Sequence, residues 1–354
     1  YTVEGSGPPV VFIQGVGVHG SGWLPQVRGL ADRFSASRIF VVCSLSGALF
    51  NALFALWSGS LESALWLRFA VGLSLAGIYP LGMKLIVSWN PHGAGRSLGL
   101  LVGMLTLGTS LPHGIRSAGA AWPWQAVILA SSVLAILGAL MVGVTGDGPH
   151  FKARRSVGTR PWSHLVKAFR TPDFRASAFG YFGHMWELYT VWVLVPAILA
   201  TRLMDSVAVS WWSFIVLGAG AIGCIGGGLL VARSGSARIA AVQLAVSGAC
   251  CLAAPWLLGA PLGLFLAWLV LWGIAVAGDS PQFSALTAAN APREAVGSVL
   301  TLTNSIGFAI SALSIEVCVR AVAASSLAQV LPWLAVGPAL GLLALRPLLA
   351  AQRA

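Results

Sequence analysis

Ten long apolar segments follow one another between Ile39 and Ala350, and this feature limits the folds open to the chain more than any other. The hydrocarbon core of a bilayer is about 30 Å thick, and an α-helix crosses it in roughly 20 apolar residues. A soluble core helix keeps a polar face, and segments such as Ile39–Trp57 and Ile239–Leu258 have none. Only 9% of the residues are charged, and 57% are hydrophobic. The sequence predicts an all-α polytopic membrane protein with about ten transmembrane helices.

The loops between the apolar segments give the predicted orientation. The predicted spans are Ile39–Trp57, Ala64–Val87, Ser97–Ile115, Trp122–Thr145, Ala176–Ala200, Val207–Ala232, Ile239–Leu258, Leu262–Gly278, Val296–Val319 and Leu327–Leu345. Of the 21 Lys and Arg residues, 16 then lie on one side of the membrane and 3 on the other. Cytoplasmic loops carry the excess of positive charge. We therefore expect both termini and the loop Gly146–Arg175 on the cytoplasmic side of the inner cell membrane.

The distribution of positive charge and the positions of the cysteines argue against several other functions. The net charge of +11 is explained by the basic loops, so no nucleic-acid partner is expected. The cysteines lie in apolar runs without metal-ligand spacing, which favours small core residues over a redox or metal role. These are Cys43, Cys224, Cys250, Cys251 and Cys318. We expect no metal, no cofactor and no catalytic residues.

Glycine, proline and arginine positions indicate an internal repeat. The glycines and prolines at 72, 77, 80 and 91 recur 201 residues later, as Gly273, Gly278, Pro281 and Pro292. Arg33 and Arg38 recur 200 residues later, as Arg233 and Arg238. A shared offset of special backbone residues across a helix and its following loop is typical of duplicated units. The chain is therefore predicted to contain two related membrane halves.

The first of these arginine pairs lies in a recognisable string. Residues 30–34 read LADRF and are followed by Arg38, which resembles the G-x-L-A-D-R-x-G-x-x-R loop of the major facilitator superfamily. Arg28 and Ser35 replace its two glycines, and the weaker copy at 228–238 has Ala232 for the Asp. The resemblance covers about residues 29–354. It implies two parallel helical bundles, with the family's first two helices missing.

In that family the signature loop forms a charge network that steadies the outward-open state. The resemblance assigns this conformational-switch role to Asp32, Arg33, Arg38, Arg233 and Arg238. The alternative is that the arginines serve only as topology anchors.

The first 34 residues have a different character. Val10–Ile13 predicts a short strand, and the glycine-rich loop Gln14–Gly22 follows it. This pattern resembles the start of an α/β-hydrolase domain, which would make the chain a gene fusion. The sequence contains no G-x-S-x-G nucleophile elbow to supply a serine nucleophile, so no enzyme is expected. The predicted domains are the fragment 1–34, a truncated four-helix bundle 35–145, a basic linker 146–175 and a six-helix bundle 176–354.

Ionisable residues inside apolar spans are costly, so each is a candidate for function. Glu187 lies near mid-depth of the helix that matches the family's seventh, where a buried carboxylate can exchange protons. Its alternative role is a structural hydrogen bond to a neighbouring helix. Asp279 lies in the helix that matches the tenth, where Pro281 frees a carbonyl and Gln282 adds a polar group. Its alternative role is packing at a helix kink.

Other polar residues complete the predicted pathway. Arg68 could bind an anionic substrate bidentately or extend its charge to the membrane surface. His184 and Asn304 are predicted to line the wall of the pathway. Glu316 and Arg320 are spaced for an i, i+4 ion pair.

These observations predict a secondary active transporter that works by alternating access. We expect a monomer in the lipid bilayer that symports protons with a small solute. Anions or organic acids are the favoured class of solute. The truncation is expected to impair it. Two alternatives stay open: a membrane-tethered fusion related to α/β-hydrolases, and a non-transporting membrane scaffold.

Overall fold

The computed structural model describes residues 35–90, 94–119, 122–150, 166–292 and 296–351. These ranges are almost wholly helical and contain no β-strand. The helices are α1 Ala36–Trp57, α2 Leu61–Ala76, α3 Tyr79–Trp89, α4 Ala94–Ala118, α5 Trp124–Thr145, α6 Pro172–Ala200, α7 Ser206–Ser234, α8 Ser236–Leu257, α9 Leu262–Gly278, α10 Ser280–Asn290, α11 Val296–Ala324, α12 Leu327–Val330 and α13 Val336–Ala351, with a 3₁₀ turn at Leu331–Ala335. The hydrolase-like fragment predicted for residues 1–34 lies outside the described residues.

Ten helical segments of the described chain are long and apolar enough to cross a membrane. They correspond one to one with the ten predicted spans, so the prediction of an all-α multi-pass membrane protein is confirmed. Their outward faces carry large apolar side chains, such as Met141 and Trp256, which are 70% and 75% exposed. In water such a surface would aggregate, whereas lipid chains solvate it. The eighth predicted span ends too early, because the helical path continues through α10 to Asn290.

Two of the membrane segments are broken at equivalent places. The second is interrupted between α2 and α3, and the eighth between α9 and α10. Helix α3 covers residues 79–89 and α10 covers residues 280–290, so both bounds differ by the 201-residue offset of the repeat. Each short helix has a proline in its first two positions, where the missing N–H costs no hydrogen bond. The repeated Gly and Pro residues therefore mark a repeated helix break.

Glycines allow the helices to approach closely. A Cβ atom on Gly99 of α4 would lie 2.9 Å from the carbonyl oxygen of Cys224 and 3.0 Å from Cα of Gly228, both on α7. Gly183 of α6 and Gly337 of α13 pack backbone against backbone in the same way. Small residues at helix crossings increase van der Waals contact, which drives association in lipid. The α4–α7 contact joins the part of the chain before residues 151–165 to the part after them.

Candidate functional site

A buried polar cluster lies among helices α6, α8 and α9, with Glu187 at its centre. The Glu187 side chain is 1% exposed. Its Oε1 atom accepts hydrogen bonds from Ser247 Oγ at 2.5 Å, Trp272 Nε1 at 2.7 Å and Cys251 Sγ at 3.1 Å. All three donors are neutral groups. The cluster therefore stabilises the carboxylate by dipoles and not by a positive charge.

A second polar cluster lies on the same side of α6, at the break between α9 and α10. The imidazole of His184 bridges two successive residues there: Nδ1 lies 2.8 Å from Asp279 Oδ1, and Nε2 lies 3.0 Å from Ser280 Oγ. His184 is 1% exposed and Asp279 is fully buried. Neither oxygen of Asp279 has a well-aligned hydrogen-bond partner among the described residues. The arrangement places a carboxylate and an imidazole in contact, away from water.

Helical spacing explains how the two clusters are assembled. His184 and Glu187 are separated by three residues on α6, and Ser247 and Cys251 by four on α8, so each pair shares a helix face. Trp272 and the Asp279 at the end of α9 are seven residues apart, which is two turns. Helix α6 therefore contacts the broken α9–α10 segment through two polar connections, Glu187 to Trp272 and His184 to the break.

The contacts described above for the two clusters do not include the other predicted pathway residues. Gln282 is 1% exposed, and its side chain lies against Gly227 of α7. Asn304 is half-buried on α11. Arg68 donates from Nη1 to Asn51 Oδ1 at 3.0 Å, and its guanidinium carbon lies 3.6 Å from the ring centroid of Phe54. Both of these contacts are with α1, so the structure brings Glu187, His184 and Asp279 together and holds Arg68 elsewhere.

The predicted switch-loop residues fall at helix ends or outside the described chain. Arg38 lies in the first turn of α1, Arg233 in the last turn of α7 and Arg238 in the first turn of α8, and all three are exposed. Asp32 and Arg33 lie outside the described residues. The predicted i, i+4 ion pair between Glu316 and Arg320 is confirmed.

Ser247, Cys251, Trp272 and Ser280 are the site residues that sequence reasoning missed. They are uncharged, so the cost of burying a charge does not single them out. All five cysteines are unpaired, and Cys251 contacts Glu187. Within the described ranges no group of three His, Cys, Asp or Glu residues could hold a metal ion. The i, i+4 spacing of Ser247 and Cys251 was the one available signal, and it is common in membrane helices.

Ten apolar spans, paired helix breaks and buried ionisable groups near the middle of their spans are together typical of a multi-pass membrane protein of the transporter class. A family profile described as Major Facilitator Superfamily matches residues 25–315. The chain belongs to this superfamily, and its membership indicates a transporter and not an enzyme, as the sequence predicts.

Solved structures of other superfamily members share the fold. The human organic anion transporter MFSD10 aligns with a TM-score of 0.72 and 16% identity, over 93% of this chain and 82% of that chain. A variant of the Escherichia coli fucose:proton symporter FucP aligns with a TM-score of 0.67 and 15% identity, over 93% and 88%. A FucP structure in the outward conformation gives 0.68 and 15%, over 96% and 90%. No curated protein matches the sequence.

Proposed function

We propose that this chain is a secondary active transporter that couples movement of a small solute to protons, with Glu187 as the proton-carrying group. The mechanism is alternating access, in which two helical bundles rock about a central site. The proposal keeps the predicted division into bundles at 35–145 and 176–354, joined by the linker 146–175. It also keeps the predicted orientation, with both termini cytoplasmic in the inner membrane, and a monomeric protein.

The environment of Glu187 is the observation that supports proton coupling. A fixed structural carboxylate in a membrane is expected to pair with a cation, because a buried charge without compensation is costly. Glu187 is held by three neutral donors. Its charge can therefore be cancelled by a proton without leaving a buried Lys or Arg unpaired. One structural neighbour is a fucose:proton symporter.

Two substrate classes are supported by different observations. A sugar is favoured by the likeness to the fucose symporter. A small organic anion is favoured by the likeness to MFSD10 and by Arg68, whose Nε is buried without a hydrogen-bond partner among the described residues. Because Nη1 of Arg68 already donates to Asn51, the Nε edge is the side of the guanidinium that would bind a carboxylate. Both substrate classes belong in the first assays.

Uptake by the purified full chain in proteoliposomes tests the proposal. Radiolabelled L-fucose and a set of small organic acids are offered with and without an inward proton gradient. Gradient-driven accumulation of at least one solute, even at a low rate, is the result that would support the proposal. Glu187→Gln should abolish accumulation and retain counterflow exchange, because an amide can accept the same hydrogen bonds but cannot release a proton. Glu316→Gln is the matched control, since its carboxylate is exposed and paired with Arg320.

Uphill uptake that survives in Glu187→Gln would refute the assignment of Glu187. Asp279, beside His184, would then be tested next by Asp279→Asn. A chain that is folded and reconstituted but moves none of the offered solutes in either direction would favour the non-transporting scaffold.

A further inference from the structure

The connection between Glu187 and Trp272 joins helix α6 to the broken α9–α10 segment. The indole N–H donates to Oε1 at 2.7 Å, and Trp272 is fully buried. Ser247 and Cys251 donate to the same oxygen, but both lie on α8. Trp272 is therefore the donor through which the charge state of Glu187 acts directly on α9.

A hydrogen bond to a carboxylate depends on the charge of that carboxylate. Bonds to a charged acceptor are roughly twice as strong as bonds between neutral groups. A proton on Glu187 removes the charge, so the Trp272 bond is weakened by protonation. The Trp272 bond and the protonation of Glu187 affect each other reciprocally. If the bond favours the charged carboxylate by a given factor, protonation of the carboxylate weakens the bond by the same factor.

Among the described residues, the second polar connection from α6 to the end of α9 is His184 to Asp279, and Glu187 takes no part in it. Cys250 and Cys251 lie on α8, and the Asp279 carboxylate at the break lies close enough to affect Glu187 electrostatically. Helix α11 contacts the α6 backbone through two serines, since Ser311 Oγ donates to Met185 O and Ser314 Oγ donates to Trp186 O. Helices α10 and α13 meet α6 through Phe283 and through Gly337 and Gly341.

We infer that Trp272 is a positioning residue that holds charged Glu187 against α9 and releases it when Glu187 takes up a proton. This inference rests on the proposed function, because it gives the proton on Glu187 a mechanical consequence. Helix α9 ends in the break at Asp279, where the path of the chain changes. Weakening the α6–α9 connection next to such a break gives proton uptake a direct effect on the helix packing inside the bundle 176–354.

The test measures the protonation midpoint of Glu187 without any substrate. Infrared spectra of the reconstituted full chain are recorded across pH, and the carboxylic acid C=O band of Glu187 is assigned by its absence in Glu187→Gln. Loss of the indole donor in Trp272→Phe destabilises the charged form, so the midpoint should move to higher pH by about one unit. By reciprocity, one unit means that protonation weakens the Trp272 contact about tenfold.

A neighbouring tryptophan supplies the matched control. Trp268 lies one turn away on the same helix and donates to the carbonyl oxygen of Cys250 instead of to Glu187. Trp268→Phe removes an equivalent N–H bond and should leave the Glu187 midpoint unchanged. Trp272→His keeps a ring N–H and should return the Glu187 midpoint part of the way to the wild-type value.

Two outcomes would overturn the inference. One is a Trp272→Phe midpoint equal to that of the wild type, and the other is an equal shift in Trp268→Phe, which would mean that any loss of packing on α9 has this effect. If Trp272→Phe does not fold, Trp272→Leu takes its place, with the same expected shift and the same refuting results. Failure of the proposed function is separate, because it is read from uphill uptake in Glu187→Gln and not from the midpoint.

Discussion

Replacing His184 by Phe should test whether the contact with Asp279 compensates a buried charge. His184 lies between the rings of Tyr181 and Phe283, with centroid distances of 6.1 and 5.8 Å, so a phenyl ring can occupy the same space. The substitution removes the Nδ1 contact with Asp279 at 2.8 Å and the Nε2 contact with Ser280 at 3.0 Å. It therefore changes the polar contacts and largely keeps the packing.

The expected loss of stability follows from the burial of both side chains. Removing the partner of a buried carboxylate costs about 3–5 kcal/mol when the carboxylate charge is left uncompensated. Asp279→Asn removes that charge, so the double variant His184→Phe/Asp279→Asn should be more stable than the two single effects predict. The difference, which is the coupling energy, should be about 2 kcal/mol.

The free energy of unfolding of the wild type, both single variants and the double variant gives this coupling energy. Unfolding is followed in detergent at pH 7 by titration with a denaturing detergent and by circular dichroism. Single effects that add to within about 0.5 kcal/mol would refute the reasoning, because independent sites add and coupled ones do not. In that case the 2.8 Å contact would contribute no compensation to Asp279.

Two further predictions concern topology and packing. In a variant without native cysteines, Ser60→Cys should react with a membrane-impermeant thiol reagent added from outside, and Ser156→Cys should not. External labelling of Ser156→Cys would reverse the predicted orientation. Gly99→Ala should destabilise the protein by about 1–3 kcal/mol, because the added Cβ would meet the backbone of α7. Gly108→Ala on the same helix places its Cβ in open space and should not destabilise the protein. Unfolding in detergent compares the two variants, and equal effects would contradict the close-packing argument.

The membrane fold could be predicted from the sequence because its main determinant is local. A span of about 20 apolar residues must be helical in lipid, since each segment has to satisfy its own backbone hydrogen bonds. The ten spans therefore followed from apolar length, whereas the break before Pro80 was not predicted, because the predicted span Ala64–Val87 runs through it. For Pro281 the sequence suggested a freed carbonyl and a helix kink, and the structure places a helix break there. Glu187, His184 and Asp279 were found as candidates because buried ionisable groups are costly wherever they lie in a span.

The contacts of those residues were decided by the tertiary structure alone. Nothing in the sequence relates Trp272 or Ser247 to Glu187, because they lie 85 and 60 residues away on other helices. Arg68 has the same local signature as Glu187, but its hydrogen bond to Asn51 and its stacking on Phe54 direct it towards α1. The sequence shows which side chains are too costly to bury without a partner. The way in which the helices cross decides which residues become those partners.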